Sequence, residues 1–174
     1  MPSARREVLA LAGVGLAAAA AGAVLGPFAL QSRSGASALL STVFPDVAGQ
    51  PRRLRDWNGR AVACNFWATW CVPCREEVPL LIALYDKYRE RGVEIVGISI
   101  DQLSKIVEFA AKFEITYPLL VGDARALDLM RQLGNEAGAL PYTVLLDRQG
   151  VVAYRKLGPL RKGELEPILE PLLR

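Results

Sequence analysis

The 174-residue chain contains no histidine. A Ser–His–Asp or Cys–His nucleophile therefore cannot be built, and neither can a zinc or haem site that uses imidazole. Cysteine is scarce: Cys64, Cys71 and Cys74 are too few, and odd in number, for a structural disulfide framework. Net charge is small. The 21 Lys+Arg against 18 Asp+Glu leave +3, and the basic residues are scattered rather than striped, which excludes a nucleic-acid surface. The densest basic cluster, Arg52-Arg53-Leu54-Arg55, reads as a solvated loop or strand edge. The chain shows no internal repeat and no second domain, and its length suffices for one domain with a sizeable core.

What is present begins with a segment that does not belong to the fold. Arg5 and Arg6 precede an uncharged stretch from Val8 to Leu30, rich in Ala, Gly, Val and Leu. Positive charge followed by an apolar run reads as an export signal or an N-terminal membrane anchor. Arg5-Arg6-Glu7-Val8-Leu9 resembles a twin-arginine export motif, with Ala4 where that motif usually has Ser or Thr. Ala36-Ser37-Ala38 has the small-x-small form of a cleavage site, yet the apolar run is long enough to span a bilayer, which takes about 20 residues. In either case the remainder is expected to be exported, to the periplasm, with the charged end retained in the cytoplasm. Residues 1–40 are thus expected to be signal or anchor plus a polar tether from Gln31 to Ser41, and residues 41–174 the folded domain.

Within that domain Leu54 is placed in a short strand, closed by the turn signal Asp56-Trp57-Asn58-Gly59. Ala61 to Trp67 reads as a strand buried on both faces. A helix from Val72 to Arg91 follows, with Val78, Leu81, Ile82, Tyr85 and Tyr88 at helical spacing and Gly92 as its stop. Val93 to Ile100 is a second buried strand. Ser104 is expected to cap a helix with Ile106, Val107, Phe109, Ala110 and Phe113 on its inner side. A strand at Tyr117–Val121 and a helix from Ala126 to Leu133 come next. Thr143–Leu146 and Val151–Tyr154 flank the hairpin signal Asp147-Arg148-Gln149-Gly150, and a helix from Glu164 to Leu173 closes the chain. Strands alternating with helices and ending in a hairpin predict an α/β fold with a mixed sheet.

The chemistry lies in Asn65-Phe66-Trp67-Ala68-Thr69-Trp70-Cys71-Val72-Pro73-Cys74. Cys71 falls at the start of the helix, where unpaired backbone N–H groups and the helix dipole stabilise a thiolate, the attacking species in disulfide exchange. Cys74, one turn on, is close enough to resolve a mixed disulfide made by Cys71. On the helical wheel Cys74 lies with Val78, Leu81 and Tyr85, so Cys71 is expected to be exposed and Cys74 shielded. Pro73 fits the first turn, and Pro79 is expected to bend the helix. Glu77 lies near Cys74 on the edge of the buried face; a partly desolvated carboxyl there would titrate high, oppose thiolate formation and exchange protons with the sulfur. Glu76 points to water. A lone C-x-x-C is also half of a zinc site, but no second pair exists, and Cys64 on the approaching strand reads as a buried small apolar residue. No metal and no cofactor are expected.

The segment from Asn65 through Arg75-Glu76-Glu77-Val78-Pro79 closely resembles the active-site segment of the TlpA/ResA-like thioredoxin-fold oxidoreductases, and the resemblance runs from about Phe44 to the C-terminus. It implies a thioredoxin-like three-layer sandwich, helices on both faces of a mixed sheet, with Gln102–Leu133 as an inserted αβ segment. It implies Cys71 as nucleophile, Cys74 as resolving cysteine, Glu77 as the buried acid that tunes the pair, and Pro141 of Leu140-Pro141-Tyr142-Thr143 as a cis-proline facing the disulfide. Trp70, Val72, Pro73, Leu140 and Tyr142 become the client-binding surface, and Trp67 a neighbouring aromatic. Two residues depart from the pattern: Asn65 stands where thioredoxin has a buried Asp, and Tyr142 where the family often has Thr.

The resemblance further implies an exported dithiol reductant of protein disulfides. Its clients would be apocytochrome c cysteines or thiol-bearing copper-delivery proteins, and a transmembrane electron donor would restore the dithiol. The alternatives are a disulfide-donating oxidase or isomerase, a peroxiredoxin-like peroxidase (the expected Pro-x-x-x-Thr-x-x-Cys surroundings are missing), and a redox-inert binding or metal-carrier module.

Overall fold

The computed structural model describes residues 34–173. The expected signal or anchor, with Arg5, Arg6 and Val8–Leu30, lies outside them. Residues 34–41 are helical (α1). A minimal antiparallel pair follows, β1 (Phe44–Pro45) and β2 (Pro51–Arg52), and then a 3₁₀ turn at Leu54–Trp57. The body consists of β3 (Ala61–Trp67), α2 (Val72–Tyr88), β4 (Val93–Ser99), α3 (Leu103–Lys112), β5 (Leu119–Val121), α4 (Ala124–Gln132), β6 (Tyr142–Leu146), β7 (Val152–Leu157) and α5 (Glu166–Leu172).

The sheet order is β5-β4-β3-β6-β7. β3 runs parallel to β4 and β4 to β5, whereas β6 and β7 are antiparallel. The central strand β3 is buried along its whole length, as a strand covered on both faces must be. Alternation sends Ala63 and Trp67 to one core, shared with Cys74, Val78 and Leu81 of α2, Phe109 of α3 and Leu169 of α5. Val62, Cys64 and Phe66 go to the other, shared with Ala36 and Leu39 of α1 and Leu129 and Met130 of α4. The three-layer architecture, with α3, β5 and α4 inserted between β4 and β6, is the one the sequence predicts.

Several local expectations are corrected. Leu54 is fully buried but sits in the 3₁₀ turn, where Asp56 accepts a hydrogen bond from the Arg53 N–H at 3.0 Å and curls the chain before a strand can extend. Ser104 is inside α3, whose N-cap is Gln102 without a side-chain cap bond. Val107 faces solvent at 46% exposure, because it lies about 100° around the helix from the buried Ile106. α2 is followed by a 3₁₀ turn at Arg89–Arg91, and Gly92 then takes the left-handed conformation (φ 93°) that glycine adopts without steric cost. α5 begins at Glu166 rather than Glu164, since the Glu164 carboxylate is already engaged by the Arg161 N–H, the Tyr154 hydroxyl and Lys156.

The expected tether is also corrected over its described part. α1 packs onto the sheet layer, with Ala36 at 5% and Leu39 at 0% exposure, so residues of the small-x-small motif are part of the folded unit. Leu39→Ala should therefore cost about 2–5 kcal/mol, the range for a buried leucine, read from urea denaturation of the folded domain. A loss below about 0.5 kcal/mol, the surface range, would show that α1 is not part of the core. Among the described residues no helix is long and apolar enough to cross a membrane.

Candidate active site

The C-terminal end of β3 delivers the chain into a tight turn. The Cys71 N–H donates to the Ala68 carbonyl at 3.1 Å, and α2 starts at once. Cys71 is the N-cap residue of α2, and its sulfur accepts the Cys74 N–H at 3.3 Å. One of the unpaired donors of the helix N-terminus is thereby aimed at the sulfur, the arrangement that stabilises a thiolate. Pro73 sits in the first turn. Cys71 and Cys74 form a disulfide, with S–S 2.11 Å and Cα–Cα 5.3 Å.

The expectation that Cys71 is exposed is corrected. It is 6% exposed and Cys74 1%; the order is kept, but the bond ties the Cys71 sulfur back against the core. Exposure falls instead on its neighbours. Trp70 (63%) and Val72 (52%) stand in solvent on either side of Cys71. Large apolar side chains held in water beside a reactive sulfur suit contact with another protein. Trp67 is core, 5.1 Å between ring centroids from Phe109.

Glu77 is more deeply placed than its edge position on the helical wheel suggests, at 3% exposure. One carboxylate oxygen accepts the Asn65 side-chain amide at 2.8 Å, and the other accepts the Leu160 N–H at 2.8 Å. Asn65 also donates to the Thr143 hydroxyl at 3.0 Å, which links β3 and β6 beneath α2. Burial raises the Glu77 carboxyl above its ordinary range; the Leu160 and Asn65 hydrogen bonds pull it back in part, and the Glu164 charge pushes it further up. Among the described residues Glu77 has no ion-pair partner.

Asn65 thus positions the acid, although the sequence singled it out only as a departure from a pattern. The signal was there: a polar residue in a strand otherwise wholly apolar must find a hydrogen bond. Leu160 acts through its backbone, 83 residues from Glu77, and carries no side-chain signal.

The Leu140–Pro141 peptide bond is cis, and the Pro141 carbonyl accepts the Gly158 N–H at 2.9 Å. β6 pairs with β3 so that Tyr142 lies opposite Phe66, which brings the 140–142 turn to the same sheet end as the cysteine pair. Tyr142 itself is corrected. It is 3% exposed, faces the opposite core, stacks with Phe66 at 6.2 Å and donates its hydroxyl to the Leu133 carbonyl at 2.6 Å. A ring locked there cannot meet a client. Cys64 is fully buried in that same far core, and burial pushes its thiol up, consistent with an inert packing residue.

Two sulfurs in bonding distance at a helix N-terminus, under exposed aromatic and apolar neighbours, are equipped for one reaction: exchange of a disulfide with another thiol or disulfide. On this sheet that makes the protein a thioredoxin-fold thiol–disulfide oxidoreductase. The chain belongs to the AhpC/TSA family, whose model matches residues 36–155, and several of its curated relatives carry the name thiol-disulfide oxidoreductase ResA. The relative from Geobacillus kaustophilus is 36% identical over 133 residues, 75% of this chain and 73% of its own. A thiol:disulfide interchange protein of the thioredoxin family from Chlorobium tepidum superposes with TM-score 0.66 at 28% identity, covering 76% of this chain and 93% of its own. A secreted thiol-disulfide isomerase from Corynebacterium glutamicum shares the fold, with TM-score 0.69 at 23% identity over 76% of this chain and 83% of its own.

Proposed function

We propose that the protein is an exported dithiol reductant of protein disulfides. The observation that carries this reading is Glu77, a buried carboxyl one turn after Cys74 with two hydrogen bonds and no countercharge among the described residues. Strong oxidants stabilise their reduced thiolate; a nearby buried carboxylate opposes it and holds the pair toward the reducing side.

In the proposed cycle the Cys71 thiolate attacks one sulfur of a client disulfide. The client S–S bond breaks, a Cys71–client bond forms, and the departing client sulfur takes a proton from solvent. Cys74 gives its proton to Glu77 and attacks the Cys71 sulfur. The mixed disulfide breaks, the second client sulfur leaves and is protonated, and the Cys71–Cys74 bond closes. Two electrons pass from the pair to the client, and a transmembrane electron carrier must return them. Pro141, with no N–H of its own, and Leu140 border the docking side, and Trp70, Val72 and Pro73 form the client-facing rim. Apocytochrome c cysteines or thiol-bearing copper-delivery proteins fit as clients.

The secreted description of the Corynebacterium neighbour supports export, with residues before 34 as signal or anchor, by the twin-arginine route. The burial of Ala36 and Leu39 supports retention of α1 after any processing.

The test is reduction of insulin by the purified domain with a thiol donor, beside oxidation of a reduced, unfolded client by the disulfide form. Fast reduction with slow oxidation is expected. The opposite balance establishes the oxidase or isomerase reading, and peroxide consumption without protein-disulfide reduction the peroxidase one.

A further inference from the structure

A groove of about 230 Å³ runs beside the disulfide, between the start of α2 and the face of α3. On the α2 side it is lined by Thr69, in the turn into the cysteine pair, and Arg75, directly after Cys74. On the other side Lys105, Glu108, Phe109 and Lys112 form one stripe of α3, at the three- and four-residue spacing that aligns side chains on a helix face. Its base is aromatic: Phe109 stacks on Phe113 at 4.3 Å and backs onto Trp67 at 5.1 Å.

The rim is unbalanced in charge, with three cations against the single carboxylate of Glu108. Some cations elsewhere on the described surface are drawn into close pairs, such as Arg91 with Glu170 at 2.7 Å and Arg125 with Asp123 at 2.8 Å. Here Arg75 and Lys112 have no ion-pair partner among the described residues. Lys112 lies 5.9 Å from the Phe113 ring centroid. Lys105 reaches Asp101 only at 3.9 Å, and that carboxylate is already engaged by the Thr69 hydroxyl and the Gln102 N–H. The groove also abuts the site where a client must lie, since Thr69 and Arg75 bracket the Trp70–Cys74 segment.

We propose that this groove receives an acidic, extended segment of the client polypeptide next to the disulfide under attack. The proposal rests on the reading that Cys71 attacks client disulfides, and it adds the client's chemistry. Acidic side chains would pair with Arg75, Lys105 and Lys112 while the chain lies across the Phe109–Phe113 base. Charge complementarity of this kind acts mainly on encounter and register.

Two measurements separate this claim from the redox reading. The first is the affinity of the oxidised protein for a cysteine-free acidic peptide and its neutral counterpart, which needs no electron transfer. The second is the rate at which the reduced protein reduces cystine peptides with acidic or neutral flanks, each referred to bis(2-hydroxyethyl) disulfide in the same protein. The acidic peptide is expected to lead by at least about tenfold at low ionic strength in both, with the lead collapsing near 1 M salt, where the Debye length is about 3 Å. Lys105→Glu/Lys112→Glu should invert the preference, and the milder Lys112→Gln should reduce it. Equal binding of the two peptides overturns the proposal, as does a preference that survives charge reversal. Anionic phospholipid vesicles binding through these lysines while the acidic peptide does not would also overturn it. Reduction of the uncharged disulfide with no peptide preference would remove the groove and leave the reductant reading standing.

Discussion

Cys74→Ser is expected to arrest the protein with its client covalently attached to Cys71, as a mixed disulfide visible on a non-reducing gel and cleared by excess thiol. Cys71→Ser should trap nothing. Both variants should lose protein-disulfide reduction on the order of 10³-fold or more, because each half of the exchange needs its own thiolate. The asymmetry follows from position. The Cys71 sulfur accepts a helix N–H, is the less buried of the two, and lies between exposed Trp70 and Val72. Cys74 is at 1% exposure on the inner face of α2, where it can reach Cys71 but not an incoming protein. Trapping on Cys74 in the Cys71→Ser variant would reverse the roles.

Glu77→Gln should change how the protein responds to pH. Burial raises the carboxyl, so between the ordinary carboxylate range and the raised value the folded state holds a proton that the unfolded state has released. The neutral form keeps its full stability below the ordinary value, and stability is lost as pH rises from there through the raised value. Each unit by which burial raises the group corresponds to about 1.4 kcal/mol. The stability of Glu77→Gln relative to the native chain should therefore rise with pH across that window, and subtracting the two curves removes other groups such as the buried Glu94. Above that window, where the carboxyl is ionised, removing the charge should also lower the thiol pKa of the reduced pair and raise its potential on the order of 30 mV, a tenfold change in a two-electron equilibrium. A stability difference flat with pH would show that Glu77 titrates alike in both states.

The parts that dictate this chemistry were legible because they are written in continuous patterns. β3 is an unbroken apolar run, and α2 repeats its buried positions from Cys74 through Val78 and Leu81 to Tyr88. Elements with little repeat were not readable. β1 and β2 have two residues each, and α1 buries only Ala36 and Leu39 as side chains in the core from a small, polar stretch. Tyr142 was misplaced by strand parity. Opposite Phe66 it shares that residue's face, and a one-residue difference in register is the difference between groove and far core. The contacts that hold Glu77 arrive from β3 and from the Leu160 backbone, which only the folded topology brings together.

The central claim, that Cys71 and Cys74 cycle as a reducing couple, is tested most directly by the reduction potential of the pair at pH 7, from equilibration of the domain in glutathione or dithiothreitol buffers. The expected value lies below about −200 mV, on the reducing side of the isomerase-type couples. A potential near the roughly −120 mV of strong disulfide donors, or no thiol–disulfide interconversion at all, would contradict it.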